Sequence, residues 1–357
     1  MRLDLGGTYG LADTAVVYSL PTIMFPAGMR TINEILGVSE VLTDMNIMHD
    51  FIINADLTDP AALKRFKTIY AANARCLSDA ELKGLRDFAA NGGTVYASFH
   101  CGTADELGFG RKEWAFKDIF GVSPRLIKGD SIAVRRTKGI KSGRKEAFSK
   151  IPATGFARMF GKCNKGVAIK YFVQDGRHNI PAVLVAKYGK GKIIYSNVAW
   201  GQSVVEFECG PDKPYKWQPD AELMKTTRDV LSLAIPENMF VKFTSMPENV
   251  IASITGSNDK KYGKLAVVNL LNSGNACREV GTMIKSQMPA DRGKVDGNIV
   301  FTMQVPADNV EKVYAVTPDF AGEKAIAYQA AGKNSIEVTV PGSMLKTFLE
   351  VRVKLKK

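Results

Sequence analysis

The stretch "SDAELKGLRDFAANGGTVYASF", Ser78–Phe99, decides the fold. Ser78 is a good helix N-cap, and Glu81 three residues on completes a capping box. Leu82, Leu85 and Phe88 recur at helical spacing, and Gly92-Gly93 ends the helix. "TVYASF" then reads as a buried strand. A helix delivered into an apolar strand is the repeating unit of a parallel sheet.

The same unit recurs upstream. "DTAVVYSLP" (Asp13–Pro21) is an apolar run suited to a strand buried on both faces. "MRTINEILGVSEVLTDMNI" carries Ile32, Ile35, Leu36, Leu42 and Met45 on a helical stripe. "HDFIINAD" (His49–Asp56) and "KTIYAAN" (Lys67–Asn73) are further strands, with a short helix capped by Asp59 and opened by Pro60 between them. Alternating strands and helices predict a doubly wound, mostly parallel α/β sheet with right-handed crossovers. Ligands of such sheets bind beyond the carboxyl ends of the strands.

From about Arg125 the pattern turns to strands: "RLIKGDSIAVRR", "GVAIKYFV", "IPAVLVAKYG" and "GKIIYSNVAW", with "YGKGK" (Tyr188–Lys192) as a hairpin turn. Asp220–Ile235 reads as an amphipathic helix that Pro236 stops. Glu237–Lys357 shows short alternating strands split by Gly, Asn, Asp and Pro, which predicts an antiparallel β-sandwich. The expected organisation is a linker-like stretch over 1–12, an α/β domain over 13–236 and the sandwich over 237–357.

Composition narrows the function classes. The 357 residues are 45% hydrophobic and 24% charged, an ordinary globular balance. No apolar run approaches the length of a membrane span, so no membrane partner is expected. The N-terminus lacks a basic region followed by an apolar core, so it does not read as a signal peptide, and a cytoplasmic location is the default expectation. The five cysteines (Cys76, Cys101, Cys163, Cys209 and Cys277) are widely spaced with no CxxC, and there are three histidines, His49, His100 and His178. Neither a metal site, a disulfide framework nor a cofactor is expected. Net charge is +12, densest in "RRTKGIKSGRK" (Arg135–Lys145), where six of eleven residues are basic. No aromatic residue interleaves there and no nucleic-acid motif accompanies the charge, so a solvated loop is favoured over nucleic-acid binding.

The segments "ADTAVVYSLP", "KTIYAANARCLSDAELKGLRDFAANGGTVYASFHCGTADE" and "FGRKEWAFKDIFGV", with the later "AVLVAKYGKGKIIYSNVAWG", resemble the middle region of family 42 β-galactosidase-type glycoside hydrolases. "LAVVNLLN" and "KVYAVTPDFAGEKAIAY" look like the terminal β-domain of carbohydrate-active enzymes. The resemblance implies a flavodoxin-like, class I glutamine amidotransferase-like domain that trimerises the enzyme, followed by a small β-domain. In the family both catalytic carboxylates lie on a separate barrel, and no segment here corresponds to it. The implied function is a non-catalytic oligomerisation or accessory region in carbohydrate metabolism, its partners a second copy of itself, a carbohydrate, and a catalytic barrel that is missing or supplied separately.

Two alternatives remain: a hydrolase using Cys101, and a carbohydrate-binding module. Cys101 follows the strand ending at Phe99, where the amidotransferase-like proteins place a nucleophile in an apolar-Cys-x-Gly turn. Here that turn reads Phe99-His100-Cys101-Gly102, which puts His100 at the nucleophile's position and Cys101 one residue late. A reactive thiol also needs a base, and the only later histidine is His178. Cys101 and His100 are therefore the catalytic candidates, with packing at a crowded strand end the favoured role. Asp105 and Glu106 lie in the following loop, where they could wall a sugar site or serve a helix N-terminus. Trp114, Trp200 and Trp217 offer aromatic faces for sugars; Trp217, in "KPYKWQPD", is the best placed, although core packing is favoured for each.

Overall fold

In a computed structural model, residues 8–25, 28–125, 132–136, 152–153, 156–175, 178–205, 221–259, 263–273 and 293–356 are described. The chain divides into two units. One comprises Thr14–Leu42 and His49–Pro236, the other Met1–Asp13, Thr43–Met48 and Glu237–Lys357.

The second of these opens with β1 (Thr8–Gly10). The first unit then runs β2 (Thr14–Tyr18), α1 (Leu20–Ile23), α2 (Gly28–Asp44, whose last residues fall in the other unit), β3 (His49–Ile53), α3 (Pro60–Leu63), β4 (Thr68–Ala71), α4 (Asp79–Ala90) and β5 (Thr94–Ser98). It continues with α5 (Lys117–Phe120), β6 (Val122–Arg125), β7 (Ile132–Arg136), β8 (Pro152–Ala153), β9 (Arg158–Gly161), β10 (Ala168–Asp175), β11 (His178–Tyr188), β12 (Gly191–Ser196), α6 (Trp200–Val204) and α7 (Ala221–Ser232).

Nine strands form one mixed sheet in the order β3-β2-β4-β5-β12-β11-β10-β7-β8. From β3 to β12 every pair is parallel, with Tyr70 opposite Tyr96 and Ile194 in line with both. From β12 to β8 every pair is antiparallel. A mostly parallel sheet was expected; half of the pairings are antiparallel instead. The connections explain it, because "YGKGK" is too short for a crossover and can only fold β11 back onto β12. β6 and β9 pair separately.

The decisive stretch folds as its chemistry requires. The Ser78 hydroxyl accepts from the Glu81 N–H at 3.2 Å, and the Glu81 carboxylate accepts from the Ser78 N–H at 2.8 Å. Leu82, Leu85 and Ala89 are buried against Val95, Ala97 and Ile193 in one core. On the other face, the Tyr70 hydroxyl donates to the Leu231 carbonyl at 2.8 Å and Thr68 donates to Ala234 at 2.6 Å, fixing α7 to the sheet. β4 and β5 are buried along their whole length, as strands covered on both faces must be.

The second unit contains β13 (Val241–Ser245), β14 (Val250–Asp259), β15 (Gly263–Asn272), β16 (Asn298–Met303), β17 (Val310–Thr317), β18 (Phe320–Ala325), β19 (Ala327–Ala330), β20 (Ile336–Pro341) and β21 (Phe348–Leu355). They form two antiparallel sheets, β1-β14-β15-β21-β17-β18 and β13-β16-β20-β19, whose inner faces share one core around Val268, Leu270, Phe301, Val338 and Val351. Alternation of buried and exposed residues along β16 and β20 is the period of such a face. Thr8–Gly10 was read as part of a linker; it is a strand in register with Thr255–Ser257. A Cβ on Gly256 would meet the Tyr9 ring at 2.5 Å, so this pairing uses a glycine to admit an aromatic side chain.

Candidate functional site

The carboxyl ends of β2, β4 and β5 bring together the loops that the sequence marks as the ligand end of the sheet. The first question is whether a crevice is open there. Between β2 and β4 it is bridged: the Ser19 and Thr22 hydroxyls bond at 2.7 Å, and the Cys76 N–H donates to Thr22 Oγ1 at 3.0 Å.

The turn after β5 is strained, and the strained residue is Phe99. Its φ is 52°, in the left-handed region that a bulky side chain rarely occupies. Neighbouring β12 holds it there. The Phe99 N–H donates to the Ser196 carbonyl at 2.7 Å, and the Phe99 carbonyl accepts from the Tyr195 hydroxyl at 2.6 Å. The buried Phe99 ring stacks on His100 with centroids 3.8 Å apart. The strained residue of this turn is therefore Phe99, and His100 and Cys101 follow it.

Cys101 faces inward. It is fully buried in the core with Trp114, Phe116 and Tyr195. The Trp114 indole N–H donates to the Cys101 carbonyl at 2.9 Å, closing the chain over it. Burial pushes the Cys101 thiol up to about 12, opposed only by a backbone hydrogen bond at Ala74. Burial thus both shields the thiol and opposes the thiolate form that a nucleophile needs. Burial, with Arg75 and Arg30 adding to it, pushes His100 down to about 4, so its ring is neutral at pH 7. Among the described residues, His100 Nε2 is buried without a hydrogen-bond partner. His178 begins β11 opposite Asp175, in the other half of the sheet.

Asp105 organises its own loop. One carboxylate oxygen accepts from the Leu107 N–H at 3.1 Å and the Phe109 N–H at 2.9 Å, while Glu106 is exposed. Trp114 is packed among Phe116, Phe120 and Tyr195, and Trp200 is fully buried with its N–H on Ser196 Oγ at 2.9 Å. Trp217, Cys209, Cys277 and most of the basic cluster from Arg135 to Lys145 lie outside the described residues. Among the described residues, no group of three or more His, Cys, Asp or Glu could hold a metal, and no helix is long and apolar enough to cross a membrane.

Sequence reasoning missed the residue on which this end is built. Glu34, on α2, is fully buried. One carboxylate oxygen accepts from the Ser98 hydroxyl and the other from the Gln202 N–H, both at 2.8 Å. The Asn73 N–H donates to the same Ser98 oxygen at 3.0 Å. Asn73 (φ 49°) also donates from Nδ2 to Thr31 at 3.1 Å and accepts from the His100 N–H at 3.3 Å. One carboxyl thus links α2, the ends of β4 and β5, and the first turn of α6. Burial raises Glu34 from 4.5 to about 7, against the lowering effect of its three hydrogen bonds. It lies on the buried face of α2, where Thr31, Glu34, Ile35, Val38, Val41 and Leu42 recur at helical spacing. Of the stripe expected from Ile32, Ile35, Leu36, Leu42 and Met45, Ile35 and Leu42 are buried, while Ile32, Leu36 and Met45 are half-buried.

Comparison with known proteins fits this geometry. Residues 12–206, more than half of the chain, match the family model described as the β-galactosidase trimerisation domain. The chain belongs to the β-galactosidase trimerisation domain family. No curated protein matches it. Solved structures similar to this family member include a β-galactosidase from Bacillus circulans sp. alkalophilus, at 12% identity and a TM-score of 0.57, which covers 98% of this chain and 42% of its own. A β-galactosidase from Rahnella sp. R3 is similar at 15% identity and a TM-score of 0.56, over 97% and 41% of the two chains. The α-L-fucosidase isoenzyme 2 of Paenibacillus thiaminolyticus gives 15% identity and a TM-score of 0.63, over 98% and 49%. At these identities the likeness is one of fold. This trimerisation-domain chain spans less than half the length of each of these structures.

Proposed function

We propose that this chain is a non-catalytic, self-associating accessory region of a glycoside hydrolase of the β-galactosidase type. The observation that carries the reading is the closed end of the sheet, in a chain whose family is described as a trimerisation domain. Phe99 is the strained residue of the turn after β5, Cys101 is buried in the core, and the buried carboxyl of Glu34 is engaged by Ser98 and by the Gln202 N–H of α6. A Cys-dependent hydrolase would need a thiolate, and burial opposes one here.

The finer reading of the fold belongs to the same proposal. The parallel half of the sheet, ordered β3-β2-β4-β5-β12, supports a flavodoxin-like, glutamine amidotransferase-like domain over 13–236. The shared core of the two antiparallel sheets supports a β-sandwich over 237–357. The catalytic barrel would be supplied by another segment or chain. Sedimentation of the chain over a wide concentration range tests the reading. It predicts association toward a trimer and no turnover of aryl galactosides; a monomer at every concentration would contradict it.

A further inference from the structure

The inner face of the larger antiparallel sheet is not filled to its edge. β1 is the edge strand; Tyr9 stands opposite Gly256, Gly256 opposite Ala266, and Ala266 opposite Val353. Ala266 and Val353 belong to the shared core, so this row faces the second sheet. Its two middle members are glycine and alanine, the smallest side chains. The Tyr9 ring lies across Gly256 and is 43% exposed. Space between the sheets stays open there as a cavity of about 350 Å³. Tyr9, Leu11, Ala266 and Leu355 line it from one side, and Phe240 and Val305, which flank β13 and β16, from the other. Sites for small ligands span about 300–1,000 Å³.

The polar side chains at this cavity are unspent. Lys264 lies two residues before Ala266 on the same face of β15, and it is exposed. Gln304 and Asn309 are fixed through their backbones. The Gln304 N–H donates to the Phe240 carbonyl, and the Asn309 carbonyl accepts from the Lys356 N–H, both at 2.8 Å. Among the described residues, the side chains of Lys264, Gln304 and Asn309 have no hydrogen-bond or ionic partner. Lys264 is also the one charged group among the described residues that line the cavity. Asp308 and Glu311 are near in sequence but do not line it, and Glu311 is paired with Lys354 at 2.7 Å.

We propose that this cavity binds a uronic acid residue, a pyranose ring that carries a carboxylate. The Tyr9 ring and the aliphatic lining take the apolar C–H face of the sugar. The amides of Gln304 and Asn309 each offer donors and an acceptor, as ring hydroxyls require. Lys264 takes the carboxylate in a charge-assisted hydrogen bond. A wholly apolar ligand would desolvate these groups without pairing them, and a neutral sugar would leave the ammonium without a counter-charge. The net charge of +12 attracts an anionic sugar from a distance as well. The site lies wholly in the unit of the two antiparallel sheets and needs no second copy of the chain.

The test is saturation-transfer NMR of the full chain, titrated to millimolar concentrations with methyl galacturonide, the neutral methyl galactoside, and cyclohexanecarboxylate. The uronide should bind roughly tenfold more tightly than either control, the scale of one charge-assisted hydrogen bond. Lys264→Met, at an exposed position, should weaken the uronide to the level of the galactoside. Ala266→Leu, which fills the cavity, should abolish uronide binding. Circular dichroism checks the fold of both, and Lys264→Met decides alone if Ala266→Leu unfolds. No binding of the uronide, equal binding of either control, or uronide binding unchanged by either substitution in a folded chain overturns the assignment. Each of those results leaves the accessory, self-associating reading standing, because that reading is tested by sedimentation.

Discussion

The Glu34 carboxyl accepts a hydrogen bond from the Ser98 hydroxyl at 2.8 Å, tying a helix to the last residue of β5 inside the core. A carboxyl in that place cannot ionise freely. Its pKa is raised from 4.5 to about 7, so the folded state binds a proton that the unfolded chain has already released between those values. Stability from this group is therefore complete below about pH 4.5 and is lost as pH rises through 7. The loss is on the order of 3 kcal/mol, taking about 1.4 kcal/mol per pKa unit. Urea unfolding of wild type and Glu34→Gln should show the wild-type midpoint falling more steeply between pH 5 and 8. Parallel curves would refute the role of this proton.

α2 and α6 meet backbone to backbone. A Cβ on Gly201 would lie 2.2 Å from the Glu34 carbonyl oxygen, and one on Gly37 would lie 2.0 Å from the Gly201 oxygen. Gly201→Ala should cost about 1–3 kcal/mol by forcing the helices apart. Gly110→Ala, with nothing within 4 Å of the new carbon, should be nearly neutral. Thermal unfolding of the two variants makes the comparison.

Phe99 holds a left-handed backbone despite its bulk. Truncation to alanine removes the buried ring but keeps a Cβ at φ 52°. Phe99→Gly removes the ring and the strain together. Phe99→Gly should therefore be more stable than Phe99→Ala by about 1 kcal/mol, the reverse of the usual order outside this region. Equal stabilities in urea titration would show that the strain is absent.

Much of this was legible in the sequence, where local chemistry alone fixes the outcome. Ser78 and Glu81 announce α4 because a capping box needs only neighbours. The parallel strands announce themselves as apolar runs because both faces are covered. β1 gives no such signal: three residues ending in glycine carry no period, and the pairing with Thr255–Ser257 is set nearly 250 positions away. Glu34 was passed over because an apolar stripe counts only apolar residues. Its burial depends on donors from Ser98 and Gln202, and no local pattern supplies those. The strain at Phe99 is hidden from the sequence for a related reason. Tyr195 and Ser196 on β12 hold Phe99 in a conformation that its own preference opposes.

The most direct test of the claim that this end of the sheet is packed structure, with no nucleophile, is alkylation of the native chain as a function of pH, read site by site by mass spectrometry. Cys101 should remain unmodified through pH 9 while the half-buried Cys163 reacts, because the Cys101 thiol is buried and pushed up to about 12. Rapid modification of Cys101 below pH 7 would mean an accessible thiolate, and would contradict the account.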